Sequence, residues 1–189
     1  AVMISPPQRD ALRRKTLENL AGTDWGDLPV KVFRESTPPI RQRRSIDEKT
    51  RKALAYGLST RADYILFIED DIIFNRHIKH NLHSWAPLRN GQVTLAALYN
   101  SDMVVRAVDG HNNCQAVHGD DFFGTQAVLL SRATARFVLD HWGEETGFPD
   151  VKFSLLAQRL CRPILVHMPS LVQHVGRRSA WGGHFHESH

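Results

Sequence analysis

Tyr64-Ile65-Leu66-Phe67-Ile68-Glu69-Asp70-Asp71 is an unbroken apolar run that ends abruptly in three carboxylates. Its five apolar residues, rich in β-branched and aromatic types, read as a strand buried on both faces, as in the centre of a parallel sheet. In open sheets of that kind, ligands bind at the carboxyl ends of the strands. Three adjacent acids at such a place repel one another and cost stability unless a cation compensates. Hard oxygen donors suit Mg²⁺ or Mn²⁺, ions that also bind substrate phosphates. Without the abutting strand, the same acids would read as a solvated turn or a helix N-cap cluster.

On either side of this run, strands alternate with helices. Ala1 to Ser5 reads as a short strand stopped by Pro6 and Pro7. Asp10 to Ala21 carries Leu12, Leu17 and Leu20 at helical spacing, with Gly22 to close it. Val30, Val32 and Phe33 suggest a second strand. Ser45, with Glu48 three residues on, has the pattern of a capping box at the head of a helix reaching about Leu58. A helix is expected over Arg76–Trp85, and strands over Val93–Tyr99, Met103–Val108 and Gly124–Leu130. Two further helices follow, Ala133–Trp142 and Asp150–Leu160, then short strands at Ile164–Val166 and Leu171–Val175. The order implies an α/β fold, a central mixed but mostly parallel sheet with helices on both faces.

The 189 residues fit one domain, large enough to fold without staples. A hydrophobic fraction of 42% with 23% charged residues excludes general disorder. No apolar run approaches the roughly 20 residues that cross a bilayer. The first nine residues lack a basic-then-apolar leader pattern. Cys114 and Cys161 are far apart in sequence and read as two reduced thiols of a cytoplasmic domain. The net charge of +4 favours anionic partners without choosing among nucleic acid, nucleotide phosphates and acidic glycans.

A second signal lies late in the chain, in Leu171-Val-Gln-His174-Val-Gly176-Arg177-Arg178-Ser179. A histidine between valines is by itself usually a hydrogen-bonded core residue. Its pairing with the acidic turn raises the alternative of a metal ligand.

An apolar strand ending in an Asp-x-Asp-like motif, followed late by Gln-His-x-Gly-x-x-Ser, resembles the GT-A type nucleotide-sugar glycosyltransferases. The branching N-acetylglucosaminyltransferases carry a comparable Glu-Asp-Asp and Gln-His-Val-Gly pair. Phe123-Gly-Thr-Gln-Ala-Val-Leu-Leu-Ser131 is similar to the family's glycine-rich strand beneath the donor sugar. The resemblance spans most of the chain, residues 1–189 as a single GT-A-like (Rossmann-like) domain with 177–189 as a mobile tail. It implies a hexosyltransferase or N-acetylhexosaminyltransferase that moves a sugar from a nucleoside-diphosphate sugar, a UDP-sugar favoured, to a glycan or other acceptor hydroxyl. Mn²⁺ or Mg²⁺ would be the cofactor. Asp71 would be the principal metal ligand, His174 the late one, and Glu69 a ligand directly, through water or toward the ribose. Ser5, Arg9, Asp70, Gly124, Gln126, Arg177 and Arg178 would contact the donor.

Inverting transfer also requires a carboxylate to take the acceptor proton. The resemblance points to Asp150, at the head of a helix before the late histidine, with Asp121 in Gly119-Asp-Asp-Phe as second candidate. Two departures stand out. The motif is Glu-Asp-Asp rather than strict Asp-x-Asp, and the chain is short for the family. Competing readings are a non-catalytic relative, a nucleic-acid-binding module built on the basic stretch from Arg41 to Lys52, and a metal-dependent nucleotidyltransferase. The aromatics sit in apolar runs rather than among the basic residues, which disfavours nucleic acid. A nucleotidyltransferase leaves the Gln-His-Val-Gly segment unexplained.

Overall fold

The computed structural model describes residues 1–34, 42–100, 114–117, 122 and 124–175, with residues 42–44, 114, 115 and 117 described by backbone alone. The expected strand at Met103–Val108, the tail, and the candidates Asp121, Arg177 and Arg178 lie outside them.

Nine strands and six α-helices are seen among these residues, in the order β1 (Val2–Ser5), α1 (Asp10–Ala21), β2 (Lys31–Arg34), α2 (Gln42–Ser59), β3 (Tyr64–Ile68), β4 (Ile72–Phe74), α3 (Ile78–Ser84), α4 (Ala86–Arg89), β5 (Leu95–Ala97), β6 (Cys114–Val117), β7 (Ala127–Ser131), α5 (Arg132–His141), α6 (Pro149–Arg159), β8 (Ile164–His167) and β9 (Val172–His174). A single 3₁₀ turn, Pro7–Arg9, links β1 to α1. Seven strands form one sheet in the order β2-β1-β3-β7-β5-β8-β6, and β4 pairs with β9 in a separate ribbon. Strands β1, β2, β3, β5 and β8 share one direction while β6 and β7 oppose it, so the sheet is mixed and mostly parallel.

The central strand explains the layering. Along β3, Ile65 and Phe67 enter a cluster with Leu54 and Leu58 of α2, Val138 of α5 and Phe153 of α6. Leu66 and Ile68 enter another with Leu20 of α1 and Ile78 and Leu82 of α3. Alternate side chains of one strand thus supply two cores, and each face needs its own helices. Burying each such side chain stabilises the fold by about 1.5–3 kcal/mol. Gly57 permits the close approach of α2, since a Cβ there would lie 2.7 Å from the Ile65 side chain.

One sequence expectation needs correction, and two features of pairing and capping emerge only in the structure. Ser45 does not cap α2. The helix starts at Gln42, continued by strong helix formers, and Ser45 is buried within it. The late strand does not join the main sheet; β9 pairs antiparallel with β4, a short strand that the acidic residues obscured. Asp150 occupies the first turn of α6 and is not its cap. Pro149 takes the first helical position, where its missing N–H costs nothing, and Phe148 becomes the capping residue. No helix among the described residues is long and apolar enough to cross a membrane.

Candidate functional site

Register brings the site together. The β1–β3 ladder sets Met3 beside Ile68, so Ser5 falls beside Asp70, and its hydroxyl donates to Asp70 Oδ2 at 2.6 Å. The β3–β7 ladder sets Ile68 opposite Ala127, so the Glu69 amide donates to the Gln126 carbonyl at 3.0 Å. Ribbon pairing sets Ile72 opposite His174, and the Val175 amide donates to the Asp71 carbonyl at 2.8 Å. A strand from each end of the chain therefore meets the acidic turn at the carboxyl edge of β3.

Arg9, at the end of the 3₁₀ turn, spans both aspartates. Its Nη1 donates to Asp71 Oδ2 at 2.5 Å and to Asp70 Oδ1 at 3.2 Å. His174 Nε2 lies 3.1 Å from the same Asp71 oxygen. The side chains of Asp70 and Asp71 are only 2% exposed. Asp71 Oδ1 is buried with no hydrogen-bond partner among the described residues. Helix α1 closes the floor: Arg13 Nη1 donates to Ser5 Oγ at 2.9 Å and Thr16 Oγ1 to the Asp70 carbonyl at 2.8 Å.

Glu69 turns away from its neighbours. Its Oε1 accepts from Thr125 Oγ1 at 2.5 Å. The backbone at Gly124, which leads into this contact, has φ +87°, and a Cβ there would lie 2.1 Å from Gln126 Oε1. Only glycine suits that position. Beside the turn is an open cleft lined by Ile4, Pro6, Phe33, Ile46, Lys49 and Glu69.

The electrostatics follow from burial. Burial, reinforced by the Asp71 charge, pushes Glu69 up to about 7. Burial also raises Asp70, partly offset by Ser5 and Arg9. For Asp71 burial acts upward too, but the His174 hydrogen bond and the Arg9 charge outweigh it and hold this carboxyl below its ordinary value. His174 is raised, because the bond to Asp71 and its charge outweigh burial. A raised carboxyl binds more protons folded than unfolded, so its contribution is fully present below its ordinary value near 4.5 and is lost as pH rises through 7. Glu69→Gln, which keeps an acceptor for Thr125, should therefore gain thermal stability relative to wild type as pH rises from 5 to 8. Melting curves at stepped pH check this; a constant difference between the two proteins would show that Glu69 does not titrate there.

The acidic turn, Ser5, Arg9, Gly124, Gln126 and His174 are thus neighbours. Asp150 stands apart. It is half-buried, and among the described residues its Oδ1 accepts only from the Val151 amide, at 2.9 Å. Helix α6 nonetheless starts at the same edge of the sheet, because it precedes β8, which runs parallel to β5. Lys152 ties its first turns to α2 through Asp47 at 3.0 Å, three residues or fewer from Ile46 and Lys49 of the cleft. Arg13, Thr16 and Thr125 escaped the sequence reading. The first two are buried with Leu20 on one helical stripe, a polar extension of an apolar face. Thr125 would have required knowing the β3–β7 register.

Among the described residues no three His, Cys, Asp or Glu side chains converge as a metal centre. Asp71 and His174 do meet, and Asp71 Oδ1 has no hydrogen-bond partner among the described residues. Two protein ligands suit Mg²⁺ or Mn²⁺, which commonly complete their coordination with water and substrate phosphates.

No family model matches the chain, and no curated protein matches it. Among solved structures, the galactosyltransferase LgtC in complex with donor and acceptor sugar analogues overlaps with a TM-score of 0.43 and 9% identity, over 82% of this chain and 70% of that one. An active-site mutant of LgtC gives a TM-score of 0.46 at 9% identity, over 82% and 69%. Overlap at that level identifies neither family nor chemistry.

Proposed function

We propose that the chain is a metal-dependent glycosyltransferase, moving a sugar from a nucleoside-diphosphate sugar, a UDP-sugar favoured, to an acceptor hydroxyl with inversion. One observation carries the reading: Asp71 is buried beside Asp70, shares one oxygen between Arg9 and His174, and leaves the other without a partner among the described residues. Among the described residues, Arg9 pairs with both aspartates. Such a centre at a sheet's carboxyl edge, beside an open cleft, suits an anionic ligand that arrives with a divalent ion.

Asp71 and His174 hold Mn²⁺ or Mg²⁺ in this reading, and the ion supplies Lewis-acid stabilisation of the departing diphosphate. The apolar walls of the cleft take the nucleoside, with Lys49 available to its phosphates. The Gly124–Gln126 turn supports the sugar, and Asp121 is the second candidate for the base. Arg177 and Arg178, which follow the ribbon in sequence, pair with phosphate oxygens. Asp150 takes the proton of the acceptor hydroxyl as that oxygen attacks the anomeric carbon.

A thermal-shift series tests the reading. UDP and UDP-sugars should raise the melting temperature, more with Mn²⁺ than with chelator, because binding to the native state alone stabilises by mass action. No shift with any nucleoside diphosphate, with or without metal, would refute it.

A further inference from the structure

We infer that Arg9 is the resident counter-ion of the acidic turn: a divalent cation gains Asp71 only by displacing the guanidinium, and a bound diphosphate, by receiving that guanidinium, draws the cation in. The inference rests on the proposed function and adds the coupling between the ligands of that site.

The contacts on Asp71 motivate it. Arg9 Nη1 and His174 Nε2 converge on Oδ2, and Oδ1 is buried without a partner among the described residues. A cation held by Asp71 and His174 would stand within hydrogen-bond range of a guanidinium. The Arg9 side chain is 11% exposed and that of Asp71 2%, so little solvent screens the repulsion. The two cations cannot share the carboxylate at low cost. Arg9 has an exit, because it also lines the open cleft with Ser5, Pro6 and Lys49. A diphosphate there offers the planar, charge-assisted pairing that guanidinium groups favour.

The consequence is thermodynamic. With no diphosphate present, the whole cost of breaking the Arg9–Asp71 pair falls on metal binding. With diphosphate bound, the guanidinium is re-partnered and the metal no longer bears that cost. Each ligand then strengthens the other by the same factor, and such couplings are commonly about 5–150-fold. Direct contact between metal and phosphate also couples them. The component due to Arg9 is separable, because its removal must strengthen binding of the metal alone.

Isothermal titration calorimetry with MnCl₂ alone, UDP alone and the two together tests this on wild type and Arg9→Gln. Glutamine retains a hydrogen-bond donor for the aspartates while removing the charge. Arg9→Gln should bind Mn²⁺ alone about tenfold more tightly than wild type, bind UDP alone more weakly, and show a smaller coupling factor. Arg9→Lys keeps the charge but lacks the planar fork that pairs with a diphosphate. It should fall between the two, and it serves as the test variant if Arg9→Gln does not fold. Metal affinity unchanged or weakened in the variants, with coupling intact, would overturn the role of Arg9 and leave the proposed function standing. Failure of wild type and variants alike to bind Mn²⁺ or UDP would overturn both.

Discussion

Asp71→Asn should abolish the gain in nucleoside-diphosphate affinity that Mn²⁺ confers, and should lower turnover by more than about 100-fold. Changing a group that merely orients a metal ligand commonly costs about 10–100-fold, and Asp71 is proposed as the ligand itself. Asparagine preserves the shape and an acceptor oxygen for Arg9 and His174, but removes the charge that offsets a divalent ion. Arg9 keeps its contact to Asp70, so the variant should fold. Far-UV circular dichroism checks that, and calorimetry with UDP in Mn²⁺ or in chelator reads the effect. If Asp71→Asn retains the full Mn²⁺-dependent gain, the acidic turn is a structural ion-pair cluster and the metal assignment fails.

Asp150→Asn is expected to leave folding and donor binding nearly intact while cutting turnover by about 10²–10⁴-fold, the usual contribution of a general base. A base acts through its placement against the acceptor hydroxyl, so orientation carries much of its contribution. Among the described residues Asp150 accepts only a hydrogen bond from its neighbour's amide, and α6 is held through Pro149 and the buried Lys152 rather than through this side chain. Loss of the carboxylate should therefore register in the chemistry and not in the fold. Turnover within a few-fold of wild type would reduce Asp150 to a first-turn acid that favours the helix dipole, and Asp121 would become the next residue to replace.

The central strand was legible because its sequence is extreme. Five apolar residues followed by three acids leave little choice but a buried strand ending at a polar edge, and that is where Tyr64–Ile68 and Glu69–Asp71 lie. The helices at 10–21 and 149–159 were likewise visible from spacing. Pairing was not. The meeting of His174 with Asp71 depends on the β4–β9 ribbon, and β4 is three residues long, with Ile73 exposed between buried Ile72 and Phe74. Nothing in so short a segment distinguishes a strand from the run into a helix. Arg9 was identified as a site residue, but its partners were not. Its contacts with Asp70 and Asp71 follow from the parallel β1–β3 register and the 3₁₀ turn, both products of tertiary packing. Thr125 was invisible for the same reason, since only the antiparallel β7 places it against Glu69.

Electron spin-echo spectroscopy of Mn²⁺ in the presence of UDP tests the central claim most directly, because it reads the nuclei bound to the ion. The account predicts coupling to one histidine nitrogen and to phosphorus in the wild-type complex, with the nitrogen signal lost in His174→Ala. A Mn²⁺–UDP complex that shows phosphorus coupling but no protein nitrogen, or a nitrogen signal that survives His174→Ala, would contradict it.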